Sequence, residues 1–339
     1  MSRVLRFLRF ELKKNLWALV VLTAVCALPY IAELSTMQMS YVYEHWETGE
    51  KITSIRAPQI GWAFFALGAL CYLAPALVYS FKMSKRGVDG YYALPLKKQK
   101  LYFVKTLVGL ILVLVPFSVM FWGGALTLLC RAGNPYAMGW YVPAYFGGAG
   151  LGVCLFGFNA FVYTRANTAA DGFVFMVAYI PFFMMIYAYV MQSLGDMSYY
   201  AYELDFLVFG GLSELGNKMS DLIMQYELVK FSPLTFVVMP VLGVAGYTLL
   251  FALLPYEKAE SAEQVSESWF GYKTLIPVYT ALMLAMNANS GGLIAVCGVA
   301  VGAIVASVAF RRKFRFEPKW WLVIGVALAC GLFLSVSLA

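Results

Sequence analysis

The sequence predicts an all-α, polytopic integral membrane protein, and two observations carry this prediction. First, 62% of the 339 residues are hydrophobic and only 13% are charged, whereas about 25% of the residues in a soluble domain are charged. Second, the chain contains long stretches without a single charged residue, and a spanning helix needs about 20 apolar residues. These stretches are residues 15–32, 57–81, 106–130, 132–164, 172–195, 231–256, 274–310 and 320–339.

One of these stretches, residues 274–310, is too long for a single ordinary pass. It contains a cluster of turn-forming residues, namely Asn287, Asn289, Ser290, Gly291 and Gly292. Such a cluster is typical of a chain reversal. We therefore expect two tight passes here and nine spans in total, although the sequence also permits eight or ten.

The basic residues predict the orientation of the chain. With alternating spans, 20 of the 25 lysines and arginines fall on the side of the N-terminus, and ten of the 18 acidic residues fall on the opposite side with the other five basic residues. The positive-inside rule then places the N-terminus in the cytoplasm. Nine spans would leave the C-terminus at the outer face.

Residues 3–14 have the pattern of an amphipathic helix. At 100° per residue, apolar and basic side chains gather on opposite sides. The apolar side carries Val4, Leu5, Leu8 and Leu12, and the basic side carries Arg3, Arg6, Arg9 and Lys13. This segment is either a helix that lies in the headgroup plane or a plain basic flank of the first span.

The composition excludes several kinds of chemistry. The predicted spans carry no charged residue, His45 is the only histidine, and the six cysteines are widely scattered. We therefore expect no metal site, no bound cofactor and no catalytic activity in this chain, and no nucleic-acid partner. The chain also lacks the glycine-rich phosphate loop of common ATPases, so a partner chain would have to hydrolyse ATP for any pump.

Two glycine pairs have the four-residue spacing that allows close helix packing in lipid. They are Gly148 with Gly152 and Gly298 with Gly302. Packing within the chain is the default expectation, and an interface with a partner is the alternative.

The basic segment at residues 82–105 has more features than a simple tether needs. Asp89 suits a helix N-terminus, Tyr91, Tyr92 and Leu94 offer an apolar and aromatic anchor, and Pro95 restricts the backbone before the next span. This segment is either a docking element or a solvated positive-inside loop.

At these residues the chain resembles the ABC type-2 exporter permeases of Gram-positive bacteria. The shared loop pattern consists of Ser84, Lys85, Arg86, Val88, Asp89, Tyr91, Leu94, Pro95 and Lys97, followed by Leu101 and Lys105. A weaker match follows the sixth span, at Glu260, Ser261, Ala262 and Glu263, where Glu263 stands at a position that is often glycine in that family.

The resemblance implies a six-span permease core with about three further C-terminal spans. The basic helix would be residues 1–14, and the core would be residues 15–256, with a coupling loop at 82–105 and an external segment at 196–230. Residues 257–273 would be a cytoplasmic linker and residues 274–339 the C-terminal spans. The residues that would then contact the ATPase are Lys85, Arg86, Val88, Asp89, Tyr91, Leu94, Pro95 and Lys97.

The partners implied are ABC ATPase subunits that hold ATP and Mg, a second permease copy or a paralogue, and membrane lipid, in a bacterial plasma membrane. An amphipathic cargo, such as an antimicrobial peptide or a lipid-like molecule, suits spans that offer apolar contacts. Two other functions stay open. One is a scaffold or sensor subunit without transport, and the other is a lipid-modifying enzyme that uses the outer acids Asp196, Glu203 and Asp205.

Overall fold

The computed structural model describes residues 3–44, 51–131, 133–193, 210–225, 233–256, 259–264, 266, 268–311 and 318–336. The acids Asp196, Glu203 and Asp205, and with them the idea of an external enzymatic site, lie outside these residues. The helices are α1 (Arg3–Lys14), α2 (Leu16–Thr36), α3 (Ile60–Tyr79), α4 (Lys85–Tyr92), α5 (Lys98–Leu129), α6 (Tyr141–Thr164), α7 (Ala169–Ser193), α8 (Gly210–Ile223), α9 (Pro233–Ala252), α10 (Tyr272–Arg311) and α11 (Pro318–Val336).

Five helices of the described chain are long and apolar enough to cross a bilayer. They lie at Leu16–Thr36, Ile60–Met83, Lys98–Leu129, Met138–Thr164 and Ala169–Ile186. Shorter apolar helical segments lie at Val237–Ala252, Tyr272–Met286, Val296–Val308 and Pro318–Leu334. These segments follow the order of the predicted spans and agree with an all-α membrane protein, while the number of crossings and the orientation stay predictions.

A short antiparallel hairpin, β1 (Ser40–Glu44) and β2 (Lys51–Ile55), modifies the all-α prediction. Its register pairs Ser40 with Ile55 and Glu44 with Lys51. The valine, isoleucine, threonine and tyrosine residues of these strands favour extended backbone. The segment is too polar to be a membrane span, and the hairpin was not predicted.

The described chain forms two compact units. The first comprises Met1–Val78, Leu94–Ala160 and Val208–Leu254, and the second comprises Tyr79–Ala93, Phe161–Leu207 and Pro255–Ala339. Within the first unit α2 packs on α5, and a Cβ on Gly124 of α5 would lie 2.4 Å from the Tyr30 ring of α2. Within the second unit α10 packs on α7 and α11.

The helix α10 reverses direction. Its backbone is helical from Tyr272 to Arg311, and a straight helix of that length would separate its ends by nearly 60 Å at about 1.5 Å per residue. The rings of Tyr272 and Phe310 are only 4.7 Å apart. The chain therefore turns back on itself, as the sequence predicts for residues 274–310.

A buried ion pair fixes α1 to α5 in the first unit. Lys105 Nζ lies 2.7 Å from Glu11 Oε2, and the two side chains are 3% and 0% exposed. Asn15 adds a hydrogen bond from its amide Nδ2 to the Glu11 carbonyl, 2.8 Å away. The predicted helix at residues 3–14 is confirmed, and the face that it buries is that of Phe7 and Glu11.

The free energy of unfolding should fall more when one partner of the ion pair is replaced than when both partners are replaced. Lys105→Met leaves the Glu11 carboxylate buried without its cation, and such a change costs about 3–5 kcal/mol. The double variant Glu11→Leu/Lys105→Met removes both charges and should recover most of the lost free energy of unfolding. Unfolding of the detergent-solubilised variants by SDS measures both values. Equal destabilisation in the single and double variants would contradict a structural role for the pair.

The reversal of α10 predicts the side of the C-terminus. If α10 crosses the membrane twice, once on each side of its reversal, the chain makes nine passes. An odd number of passes puts the two termini on opposite sides of the membrane. We expect a C-terminal alkaline phosphatase fusion to be active and a C-terminal GFP fusion to be dark in a bacterial host. Bright GFP would mean an even number of crossings.

Candidate functional site

The candidate site is built around α4, the short helix that follows the turn at Ser80–Met83 in the second unit. Two acceptors satisfy the first backbone N–H groups of α4. Ser84 Oγ accepts from Gly87 N at 3.2 Å, and Glu263 Oε1 accepts from Lys85 N at 3.2 Å. Backbone donors at a helix start have no partner inside the helix, so both contacts stabilise α4, and the carboxylate also interacts favourably with the helix dipole.

The inner face of α4 packs on its own chain. Val88 is 2% exposed, and the Tyr91 ring lies 4.6 Å from the Phe81 ring. Gly87 sits so close to the preceding turn that a Cβ there would lie 2.4 Å from the Phe81 carbonyl oxygen. Val88 and Tyr91, both predicted to meet a partner, therefore also contribute to holding α4 in place.

The outer face of α4 carries charge. Lys85, Arg86 and Asp89 are exposed and lie on the side opposite Gly87 and Tyr91. Of the other predicted contact residues, Leu94 is half-buried, and Pro95 and Lys97 are exposed. The predicted set thus divides into an exposed polar group on α4, an inward-facing group, and residues that follow α4 along the chain.

The second predicted motif, Glu260, Ser261 and Glu263, meets α4. A single helical turn at Ala259–Ser261 packs on α4, Glu260 is exposed, and Glu263 reaches the start of the helix. Glu263 has a φ of 67°, which glycine adopts readily and other residues rarely do. The two motifs, about 170 positions apart, therefore contribute to one cluster.

The connection between α6 and α7 completes this cluster. Glu263 N donates to the Asn167 carbonyl at 3.0 Å, and Ser266 Oγ donates to the Arg165 carbonyl at 2.8 Å. Lys82 Nζ donates to the Thr164 carbonyl. The turn before α4, the end of α6 and the segment at residues 259–266 are thus joined by polar contacts.

Sequence reasoning missed three contributors to these polar contacts, namely Lys82, Asn167 and Ser266. It also missed the pair of Glu11 and Lys105 in the first unit, because it treated Lys105 as part of a loop. A signal was available for the pair, since Glu11 is the only acid among the first 30 residues. An isolated acid in a basic segment beside a span is a candidate for burial with a cation.

The predicted packing glycines have different surroundings. A Cβ on Gly148 would lie 2.3 Å from the Phe64 ring, and one on Gly152 would lie 2.9 Å from Leu67, so α6 approaches α3 closely there. Gly298 and Gly302 have no atom within 4 Å of such a Cβ. Instead they line an apolar cavity of about 630 Å³ between the arms of α10 and α7.

The chemistry of the cluster is charged and polar. Within the described residues, no three acidic, histidine or cysteine side chains come together as metal ligands. The exposed groups of α4 are charged, and the cluster behind them is rigidly hydrogen-bonded. Such an arrangement can transmit a push or pull on α4 to the ends of α3, α6 and α7.

Comparisons of this chain with protein-family models, with curated proteins and with solved structures gave no match.

The two glycines of α4 provide a matched test of this arrangement. Gly87→Ala forces a Cβ against the Phe81 carbonyl and should destabilise the cluster by about 1–3 kcal/mol. Gly90→Ala adds a methyl group to open space and should stabilise α4 by about 0.5–1 kcal/mol. Limited proteolysis at Lys85 and Arg86, together with the thermal midpoint in detergent, measures both effects. Similar behaviour of the two variants would contradict the close contact at Gly87.

Proposed function

We propose that this chain is the membrane-spanning permease subunit of an ATP-driven exporter of the ABC type, and that α4 is its contact with a separate ATPase subunit. One observation carries the proposal: α4 presents Lys85, Arg86 and Asp89 outward while its start is tied to Glu263 by a hydrogen bond. A solvated loop would need neither the cap nor the packed inner face. The resemblance of the two motifs to permease sequences supports the same function.

The mechanism follows from how α4 is attached. ATP binding closes the ATPase pair, and the exposed face of α4 moves with it. Val88, Tyr91 and the Glu263 carboxylate join α4 to the rest of the cluster. The motion is therefore transmitted to the ends of α3, α6 and α7, and no flexible loop in between absorbs it. The apolar helices then change access to an amphipathic cargo. ATP and Mg belong to the partner subunit, and a second permease copy or a paralogue completes the assembly.

The proposal predicts that an ATPase accompanies this chain and depends on the outer face of α4. The tagged chain, extracted in mild detergent, should retain a P-loop ATPase. Arg86→Glu/Asp89→Ala changes two exposed residues and should weaken retention by tenfold or more, since charged residues at the centre of an interface each contribute about 1–2 kcal/mol. Affinity purification with quantitative mass spectrometry measures the ratio of ATPase to permease.

A matched control separates this effect from a general loss of charge. The control variant Glu33→Ala/Lys51→Glu has the same change in net charge. Both residues are exposed and lie on the predicted opposite side of the membrane, so this variant should retain the ATPase. Both variants should elute as single peaks on gel filtration. Absence of an ATPase from the folded wild-type chain would favour a scaffold or sensor subunit, and retention by the α4 variant would place the contact elsewhere.

A further inference from the structure

The amphipathic helix α1 has three faces rather than two. Phe7 and Glu11 face the protein and are buried. A second face carries the leucines, of which Leu5 is 50% exposed. A third face, opposite the buried one, is basic and exposed, with Arg6, Arg9 and Lys13.

Because Glu11 is buried in the ion pair with Lys105, all the exposed charged side chains of α1 are basic. Glu11 is the only acid in α1, and its carboxylate is buried against Lys105 at 2.7 Å. No exposed acid therefore lies on α1 beside Arg6, Arg9 and Lys13. A helix with an apolar face beside a basic face matches the boundary between acyl chains and anionic headgroups.

A crevice runs beside α1 at the start of α5. Its volume is about 500 Å³, and its walls are Val4, Gln99, Lys100, Phe103 and Phe251. Three of these side chains are apolar, Lys100 is an exposed cation, and Phe103 is 51% exposed. The volume falls in the range of small-molecule sites, about 300–1,000 Å³.

We propose that this crevice binds one anionic phospholipid. Val4, Phe103 and Phe251 contact an acyl chain, and the ammonium group of Lys100 binds the phosphate. A zwitterionic lipid would offer the same acyl chain but would bring its own cation to a surface that is already basic. Charge therefore selects the anionic headgroup, and the apolar walls select a lipid over a free phosphate.

The chain offers two matched pairs of variants for the test. Lys100 lines the crevice, whereas Lys98 lies two residues earlier on the same helix, is exposed, and does not line it. Val4 lines the crevice, whereas its neighbour Leu5 is exposed and does not line it. Each pair compares one substitution inside the crevice with the same substitution outside it. The first pair is Lys100→Gln and Lys98→Gln, and the second is Val4→Trp and Leu5→Trp.

The experiment uses the purified full chain in detergent, titrated with dioleoyl phosphatidylglycerol, and native mass spectrometry counts the bound lipid. We expect one tightly bound lipid for the wild type. Lys100→Gln should weaken binding about fivefold, the value for one cation near an anionic surface, and Val4→Trp should weaken it by at least as much. Lys98→Gln and Leu5→Trp should stay within twofold of the wild type.

Several results would overturn the proposal. Equal binding of dioleoyl phosphatidylcholine would remove the role of charge. Equal binding of soluble glycerol phosphate would remove the role of the apolar walls. Equal losses for Lys100→Gln and Lys98→Gln would mean that the basic surface as a whole, rather than the crevice, attracts the lipid.

Discussion

The rest of the structure depends on one constraint: a charged side chain that is buried beside apolar helices has to find a polar partner within the chain. Burial of an unpaired charge costs several kcal/mol, and four buried charged side chains of the described chain each have a polar partner, namely Glu11, Lys82, Lys105 and Asp171. Glu11 meets Lys105 at 2.7 Å, Lys82 donates to the Thr164 carbonyl, and Asp171 accepts from the Tyr272 hydroxyl at 2.9 Å. Each contact joins elements that are far apart in the sequence, so satisfying these groups also determines which helix ends lie together.

The same constraint explains why α4 can be short and still be well placed. A helix of eight residues is not stable alone in water, because starting a helix is costly. Here Ser84 and Glu263 accept from its first N–H groups, and Val88 and Tyr91 pack on the turn before it. Its stability therefore comes from the chain behind it, and the charges on its outer face are not needed to hold it. Lys85, Arg86 and Asp89 of that outer face are exposed.

Some elements could be predicted from the sequence because hydrocarbon imposes a length and a composition on anything that crosses it. The apolar helices, the amphipathic pattern of α1 and the reversal of α10 are local properties of this kind. The burial of Lys105 is not local, because it depends on Glu11, 94 positions earlier. The helix α5 begins at Lys98, eight residues before the apolar stretch, and Lys105 lies within this extension. The contact between α4 and Glu263 could not be predicted from the local sequence pattern either. It is a hydrogen bond between Lys85 N and Glu263 Oε1, which are 178 positions apart in the sequence.

Glu263 shows how such a long-range contact can outweigh a local preference. A left-handed backbone costs a residue with a Cβ about 1–2 kcal/mol, and glycine would adopt the observed φ of 67° without that cost. A carboxylate near a helix N-terminus recovers about 0.3–1 kcal/mol at an exposed site and up to about 2 kcal/mol when partly buried. These terms are similar in size, so glutamate at this position brings little net stability over glycine. What it adds is a directional contact between residues 259–264 and α4, because glycine would make the same turn but leave Lys85 N without this acceptor. The contribution of Glu263 is therefore a direct hydrogen bond between two segments that are far apart in the sequence.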